Sequence, residues 1–102
     1  MNWIAQVINN EEEQRFEISV DGHTAFAEYL FRKKDFVVYP HTVVPEAIGG
    51  QGIGEALATY AMDYALERGL KVKPYCPFIA KFMKNNLDQY SDLLADGFRL
   101  PS

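Results

Sequence analysis

The first half of the chain alternates apolar and polar positions, which is typical of strands that cover a core with one face. Residues 15–20, RFEISV, show this alternation most clearly, and Asp21-Gly22 follows as a signal for a hairpin turn. A proline cannot donate a ladder hydrogen bond, so we expect a bulge or an exposed edge near Pro40. The alternation predicts strands over residues 4–8, 15–20, 24–31 and 36–44.

The periodicity changes from that of a strand to that of a helix after the fourth strand. Gly69 fits the left-handed position that follows a helix, and Pro77 fits a first helical turn, where its missing N–H costs nothing. The second half is therefore predicted to contain a helix over residues 53–66, a strand over 70–74, a helix over 77–85 and a short helical turn over 88–94.

The order of these elements predicts an α+β, or mixed α/β, fold. An antiparallel four-stranded sheet is followed by a βαβ unit, whose crossover should be right-handed with parallel strands, and by a C-terminal helix. A chain of 102 residues, of which 48% are hydrophobic, is long enough for one packed core. We therefore expect a single domain over residues 1–102.

Composition and charge limit the kinds of partner that the protein can bind and the cellular compartment that suits it. A formal charge of −4 argues against a nucleic-acid surface, which normally carries a basic stripe. The single cysteine, Cys76, excludes an internal disulfide framework and suits a reducing compartment. The sequence shows neither a leader pattern nor the roughly 20 apolar residues that span a bilayer. We expect a cytoplasmic protein without nucleic-acid, membrane or metal partners, since no His/Cys/Asp cluster has metal-ligand spacing.

The most informative feature is a glycine-rich turn between the fourth strand and the first helix. Its sequence is Gly49-Gly50-Gln51-Gly52-Ile53-Gly54, and it follows Val43-Val44-Pro45. A helix N-terminus presents unpaired backbone N–H groups and about half a positive charge, and glycines let a ligand approach the backbone closely. The turn therefore predicts a phosphate or pyrophosphate site whose candidate contacts are Val43, Val44, Gly49, Gly50, Gln51, Gly52, Ile53 and Gly54.

Two common nucleotide-binding motifs do not fit this turn. No Lys-Ser or Lys-Thr pair follows the glycines, as a Walker A loop requires. A Rossmann fingerprint would directly follow the first strand of an alternating βα fold, which four hairpin strands contradict. What remains is a pyrophosphate bound by backbone N–H groups without a catalytic metal, and coenzyme A is the commonest ligand of that kind.

At this turn the chain resembles the acetyl-CoA motif of the GNAT acetyltransferase superfamily, Arg/Gln-x-x-Gly-x-Gly/Ala. Gly52 and Gly54 match its two small positions, whereas Gly49 stands where Arg or Gln is usual. This departure removes one side chain and leaves the backbone donors in place. Gln51 could replace part of the missing polar contact.

Residues 16–94 are most similar to the short stand-alone branch of that superfamily. The shared features are Asp21-Gly22, His41-Thr42 and Lys71-Val72-x-Pro74-x-Cys76. The resemblance implies a truncated GNAT-like fold without the two helices that larger relatives place after the first strand. It also implies that the fourth and fifth strands splay apart, with the pantetheine arm of acetyl-CoA in the cleft between them.

His41 and Cys76 are the candidate catalytic residues, because they follow the ends of the two splayed strands. Histidine titrates near neutral pH and could accept a proton from an amine. Cysteine could act as a nucleophile or as the acid that protonates the leaving thiolate. The alternatives are an inert buried cysteine and a hydrogen-bonded surface histidine. Glu28 is either a solvated carboxylate or part of the acceptor side.

The resemblance implies a protein that binds acetyl-CoA and transfers the acetyl group to an amine. In the direct route the amine attacks the thioester while backbone N–H groups of a splayed strand stabilise the oxyanion. The alternative is a non-catalytic module for CoA or acyl-CoA, which the short chain favours because the missing helices form the acceptor pocket in larger relatives. An open acceptor side would suit a protein or peptide substrate.

Overall fold

The computed structural model describes residues 2–100, and its strands form two sheets. The strands within this range are β1 (Ile8–Asn10), β2 (Arg15–Val20), β3 (His23–Glu28), β4 (Leu30–Arg32), β5 (Phe36–Val38), β6 (Thr42–Val43) and β7 (Lys71–Lys73). One sheet is antiparallel in the order β1-β2-β3-β6, and the other has the order β4-β5-β7 with β5 and β7 parallel. The predicted mixed α+β fold is thus confirmed.

Helices make up most of the second half of the described chain. The α-helices are α1 (Ile53–Arg68), α2 (Pro77–Asn85) and α3 (Leu87–Tyr90), and short 3₁₀ turns cover Ile4–Gln6, Glu46–Ile48 and Ser91–Leu93. The predicted end of α1 is confirmed, because Gly69 has a φ of 66° and its N–H bonds back into the last turn. None of the helices within residues 2–100 is long and apolar enough to cross a bilayer.

The predicted strand over residues 4–8 is wrong, because most of this segment is a 3₁₀ turn and the first strand begins at Ile8. Trp3 and Val7 both pack against the core, whereas the three residues between them are all exposed, which an alternating strand would not give. The chain closes the turn with a 2.9 Å hydrogen bond from the Gln6 N–H to the Trp3 carbonyl. Tertiary packing of the tryptophan therefore decides the local conformation.

The predicted third and fourth strands each break in the middle, and their halves belong to different sheets. The third strand breaks at Tyr29, whose N–H donates to the Gln14 carbonyl, and the fourth breaks over residues 39–41. A bulge or an exposed edge was expected near Pro40, and the structure instead interrupts the strand there, where proline has no N–H for the ladder. The two long strands still run side by side, because β3 pairs with β6 and β4 pairs with β5.

The parallel strands β5 and β7 stay hydrogen-bonded as far as Tyr39 and then separate. Val37 pairs with Val72, and the Tyr39 N–H donates to the Lys73 carbonyl at 3.1 Å. The Cys76 N–H then bonds to the Tyr39 carbonyl at 2.9 Å, after which one chain joins β3 as β6 and the other enters α2. The predicted βαβ unit therefore opens a cleft between β6 and the start of α2.

A cluster of aromatic rings holds α1 against β2 and β3. Phe16 of β2 is fully buried, and its ring centroid lies 4.7 Å from that of Tyr29, 4.9 Å from that of Tyr60 and 5.1 Å from that of Tyr64. Offset and edge-on aromatic pairs stabilise a core beyond the area they bury. The packing places both tyrosines of α1 against the core and fixes the helix that follows the glycine turn.

Candidate functional site

The glycine turn reaches α1 through two residues in the left-handed region of backbone space. Gly50 has a φ of 74° and Gly52, which immediately precedes α1, has a φ of 84°. A side chain at either position would be strained, and the space that its Cβ would enter is open. The turn therefore exposes bare backbone where a ligand can come close.

The backbone donors of this turn have no acceptors within residues 2–100. Within the described range, the N–H groups of residues 50–55 make no hydrogen bond to backbone or side chain, and no side chain caps α1. The first bond that enters the helix runs from the Ala56 N–H to the Gly52 carbonyl, at 3.1 Å. Because the helix end also carries about half a positive charge, the turn can bind an anion.

A hollow of about 360 Å³ lies against these donors, and we call it the glycine cleft. It is lined by Val44, Gly49, Gly50, Gly52, Ile53, Gly54, Glu55 and Phe78. The structure thus brings together six of the eight candidate contacts. Val43 instead pairs with Phe26 and is 42% exposed, and the Gln51 side chain turns back to donate to the Ile48 carbonyl at 3.2 Å.

The glycine cleft carries two opposite charges: the partial positive charge of the backbone N–H groups and the negative charge of one carboxylate. Glu55 is the charged residue of its lining, and Lys81 of α2 faces Glu55 across an adjoining hollow of about 260 Å³. A larger hollow of about 580 Å³ along Lys84 and Arg99 contains neither Cys76 nor any residue of the turn. The candidate ligand site is therefore chosen by the unpaired N–H groups of the glycine turn and not by the volume of the hollow.

Phe78 forms a wall of the glycine cleft that the sequence did not predict. Ile79, Ala80 and Met83 of α2 are buried, whereas the Phe78 side chain is 40% exposed. The ring packs over Gly54, where an added Cβ would lie only 2.9 Å from the ring atom Cζ. Glycine at this position therefore lets α1 and α2 approach each other at the cleft.

Replacing Gly54 with alanine should displace the Phe78 ring, because the new methyl group overlaps its Cζ atom, and since this ring is partly exposed the shift should lower the free energy of unfolding by no more than about 1 kcal/mol. Alanine by itself favours a helix by up to about 1 kcal/mol, so any net loss must come from the overlap. Urea denaturation of Gly54→Ala, Phe78→Leu and the double variant measures the coupling between the two positions. Additive losses in this cycle would contradict the contact.

Cys76 lies directly before α2, where β6 and α2 diverge, and does not line the glycine cleft. Its side chain is 4% exposed, and Sγ lies 3.6 Å from Oγ1 of Thr42 on β6. The thiol therefore connects β6 with the start of α2 from a buried position. The sequence left open whether Cys76 is reactive or is an inert buried residue. Its burial is observed, and the chemistry of its thiol stays a prediction.

His41 is not directed toward Cys76. Neighbouring residues of an extended segment alternate faces, so His41 and Thr42 point to opposite sides of the chain. The imidazole Nε2 lies 2.8 Å from Oε1 of Glu28, and the His41 side chain is 61% exposed. The structure thus forms two separate pairs: thiol with hydroxyl in the cleft, and imidazole with carboxylate on the outer face.

The hydroxyl of Tyr39 anchors the point at which the strands separate. It donates a 2.6 Å hydrogen bond to the Ala61 carbonyl of α1, and the side chain is fully buried. Burial raises the pKa of this phenol far above its ordinary value, and the nearby Tyr64 adds to that rise. Tyr39 therefore stays protonated and serves as a structural donor between the cleft floor and α1.

Comparisons with known proteins agree with this arrangement of strands, turn and helix. Residues 15–93 match the family described as GCN5-related N-acetyl-transferase. The chain is 35% identical over 92 residues to Protein NATD1 of Xenopus tropicalis, a match that covers 87% of this chain and 84% of that protein. For Protein NATD1 of Homo sapiens the identity is 34% over 92 residues, covering 87% and 81%.

The fold is also similar to that of a solved bacterial protein. A GCN5-like protein of Staphylococcus aureus, determined by NMR in solution, superposes with a TM-score of 0.68 and 30% sequence identity. The superposition covers 93% of this chain and 91% of that one. The chain therefore belongs to the GCN5-related N-acetyltransferase family, as its glycine turn suggested.

Proposed function

We propose that this protein binds acetyl-CoA and transfers its acetyl group to an amine of a small molecule, peptide or protein. The observation that carries the proposal is the row of unpaired backbone N–H groups, residues 50–55, on the wall of the glycine cleft. A diphosphate needs such donors, and charge-assisted hydrogen bonds to them are stronger than neutral ones. Family membership supports the same ligand, and the single cysteine supports a cytoplasmic location.

The rest of the ligand would follow the apolar walls of the cleft. Val44 and Phe78 face each other beside the turn, and Cys76 lies where β6 and α2 diverge. In the direct reaction the amine nitrogen bonds to the acetyl carbon, the carbon–sulfur bond breaks, and the CoA sulfur leaves with a proton. Backbone N–H groups near β6 would stabilise the negative charge on the acetyl oxygen, and Cys76 or His41 would handle the proton.

A non-catalytic module that binds CoA or acyl-CoA is the second candidate. It is favoured by the separation of the two candidate catalytic residues, since within residues 2–100 the polar partner of the Cys76 thiol is Thr42 and that of His41 is Glu28. Such a protein would use the same donors and cleft walls and would have no general base beside the thioester. Turnover distinguishes the two functions.

Incubation with acetyl-CoA and a library of amines and peptides should release free CoA at least about tenfold faster than acetyl-CoA alone. A thiol-reactive dye follows the released CoA from about pH 6 to about pH 9, a range that spans the titration of imidazole and thiol. The Gly52→Leu variant serves as the control, because it should lose release and binding together. Tight binding of acetyl-CoA without acceptor-dependent release would support the module.

A further inference from the structure

The N-terminal segment is attached to the glycine turn through Trp3. The indole Nε1–H donates a 2.9 Å hydrogen bond to the Gln51 carbonyl, although the two residues are 48 positions apart in sequence. The Gln51 side chain is held in turn by its own bond to the Ile48 carbonyl. Two hydrogen bonds therefore fix the middle residue of the turn, and neither uses the donors that face the cleft.

The bond to Trp3 sets the direction of the next N–H group. The peptide that joins Gln51 to Gly52 is trans, so its carbonyl and its N–H point in opposite directions. With the carbonyl held toward Trp3, the Gly52 N–H points away from the indole. Gly52 lines both the glycine cleft and a hollow of about 300 Å³ beside Trp3, so the N–H on its far side faces the cleft.

This peptide is unusually free to turn in the absence of such a bond. Gly52, at one end of this peptide, has a φ of 84°, and the space that its Cβ would enter is open. Glycine rotates between conformations that a side chain would forbid. A half-rotation would aim the Gln51 carbonyl at the cleft, where its negative end would repel a diphosphate.

We propose that Trp3 is a positioning residue for the diphosphate of CoA, which holds the Gly52 N–H toward the cleft before the ligand arrives. The inference rests on the proposed function. The indole is held in place mechanically, because Trp3 packs against the core and the 3₁₀ turn over Ile4–Gln6 packs on α1. The N-terminal segment, which lies outside the residues matched by the family, thereby becomes part of the ligand site.

The test compares Trp3→Phe, which keeps an aromatic ring and removes the donor, with Tyr29→Phe, which removes a 2.7 Å hydrogen bond to Asn9 far from the turn. Calorimetric titration with CoA should give a dissociation constant raised about fivefold or more for Trp3→Phe. That ratio follows if the competent peptide orientation falls to about a fifth of the population. Tyr29→Phe should bind as the unmodified protein does.

A readout without ligand separates positioning from general stability. In ¹H–¹⁵N spectra of the free protein, the Gly52 amide should shift or broaden in Trp3→Phe and stay in place in Tyr29→Phe. In the unmodified protein, titration with CoA should shift the indole Nε1–H signal of Trp3, the single tryptophan of the chain. An unmoved indole signal, or equal CoA affinity of folded Trp3→Phe, would overturn the inference.

Failure of the proposed function would give a different experimental result from failure of the positioning role. If the unmodified protein does not bind CoA at all, the ligand assignment is wrong whatever Trp3 does. If the unmodified protein binds CoA and Trp3→Phe binds it equally well, the ligand stands and the positioning role is wrong.

Discussion

Replacing Gly52 with leucine should weaken CoA binding by well over tenfold, which corresponds to a loss of more than about 1.4 kcal/mol of binding free energy. Two effects act together at this position. A side chain would occupy the open space through which a diphosphate reaches the N–H groups, and the φ of 84° would strain any residue other than glycine. Calorimetric titration with CoA measures the change directly.

The chain supplies a matched control at the other end of the same helix. Gly69 has a φ of 66°, and a Cβ added there would also enter open space. Gly69→Leu should therefore cost similar backbone strain, about 1 to 2 kcal/mol of unfolding free energy, without touching the cleft. Equal CoA affinity of Gly52→Leu and Gly69→Leu, with both proteins folded, would remove the glycine turn as the ligand site.

Replacing Cys76 with alanine should reduce acetyl transfer about a hundredfold or more if the thiol takes part in the chemistry. Sγ would form a thioester with the acetyl carbon while CoA leaves as the thiol, so acetyl-CoA alone should add one acetyl group to the protein. Intact-mass spectrometry detects that adduct, and Cys76→Ala should lack it. The buried position beside Thr42 means that the acetyl group must enter the cleft to reach the sulfur.

Cys76→Ser is the control for this experiment, because a hydroxyl keeps a polar group opposite Thr42 and should leave CoA binding nearly intact. A buried but inert cysteine would behave differently: alkylating reagents would react slowly, and alanine would cost roughly 1 kcal/mol of stability with no loss of turnover. Unchanged turnover of folded Cys76→Ala would leave direct transfer, with His41 as the remaining candidate base. His41→Ala and Glu28→Gln would then test that pair on the outer face.

Elements governed by short-range rules could be predicted from the sequence. The helical spacing after the glycine turn, the Gly69 stop and the Pro77 start place α1 and α2 where the structure has them. The parallel pairing of β5 with β7 could also be predicted, because a strand–helix–strand unit can pack in only a few ways. The glycine turn was visible because its backbone conformations need glycine at defined positions.

Tertiary contacts decided the features that give the site its shape. Residues 4–6 form a turn because Trp3 packs on the core and bonds to Gln51, a partner 48 positions away that no local pattern contains. The third strand breaks at Tyr29, where its two halves join different sheets, whereas Pro40 already marked the break in the fourth strand. His41 pairs with Glu28 and not with Cys76, and Phe78 forms a wall of the glycine cleft. Neither placement follows from the local pattern, because the side on which a residue lies depends on the path of the neighbouring chain.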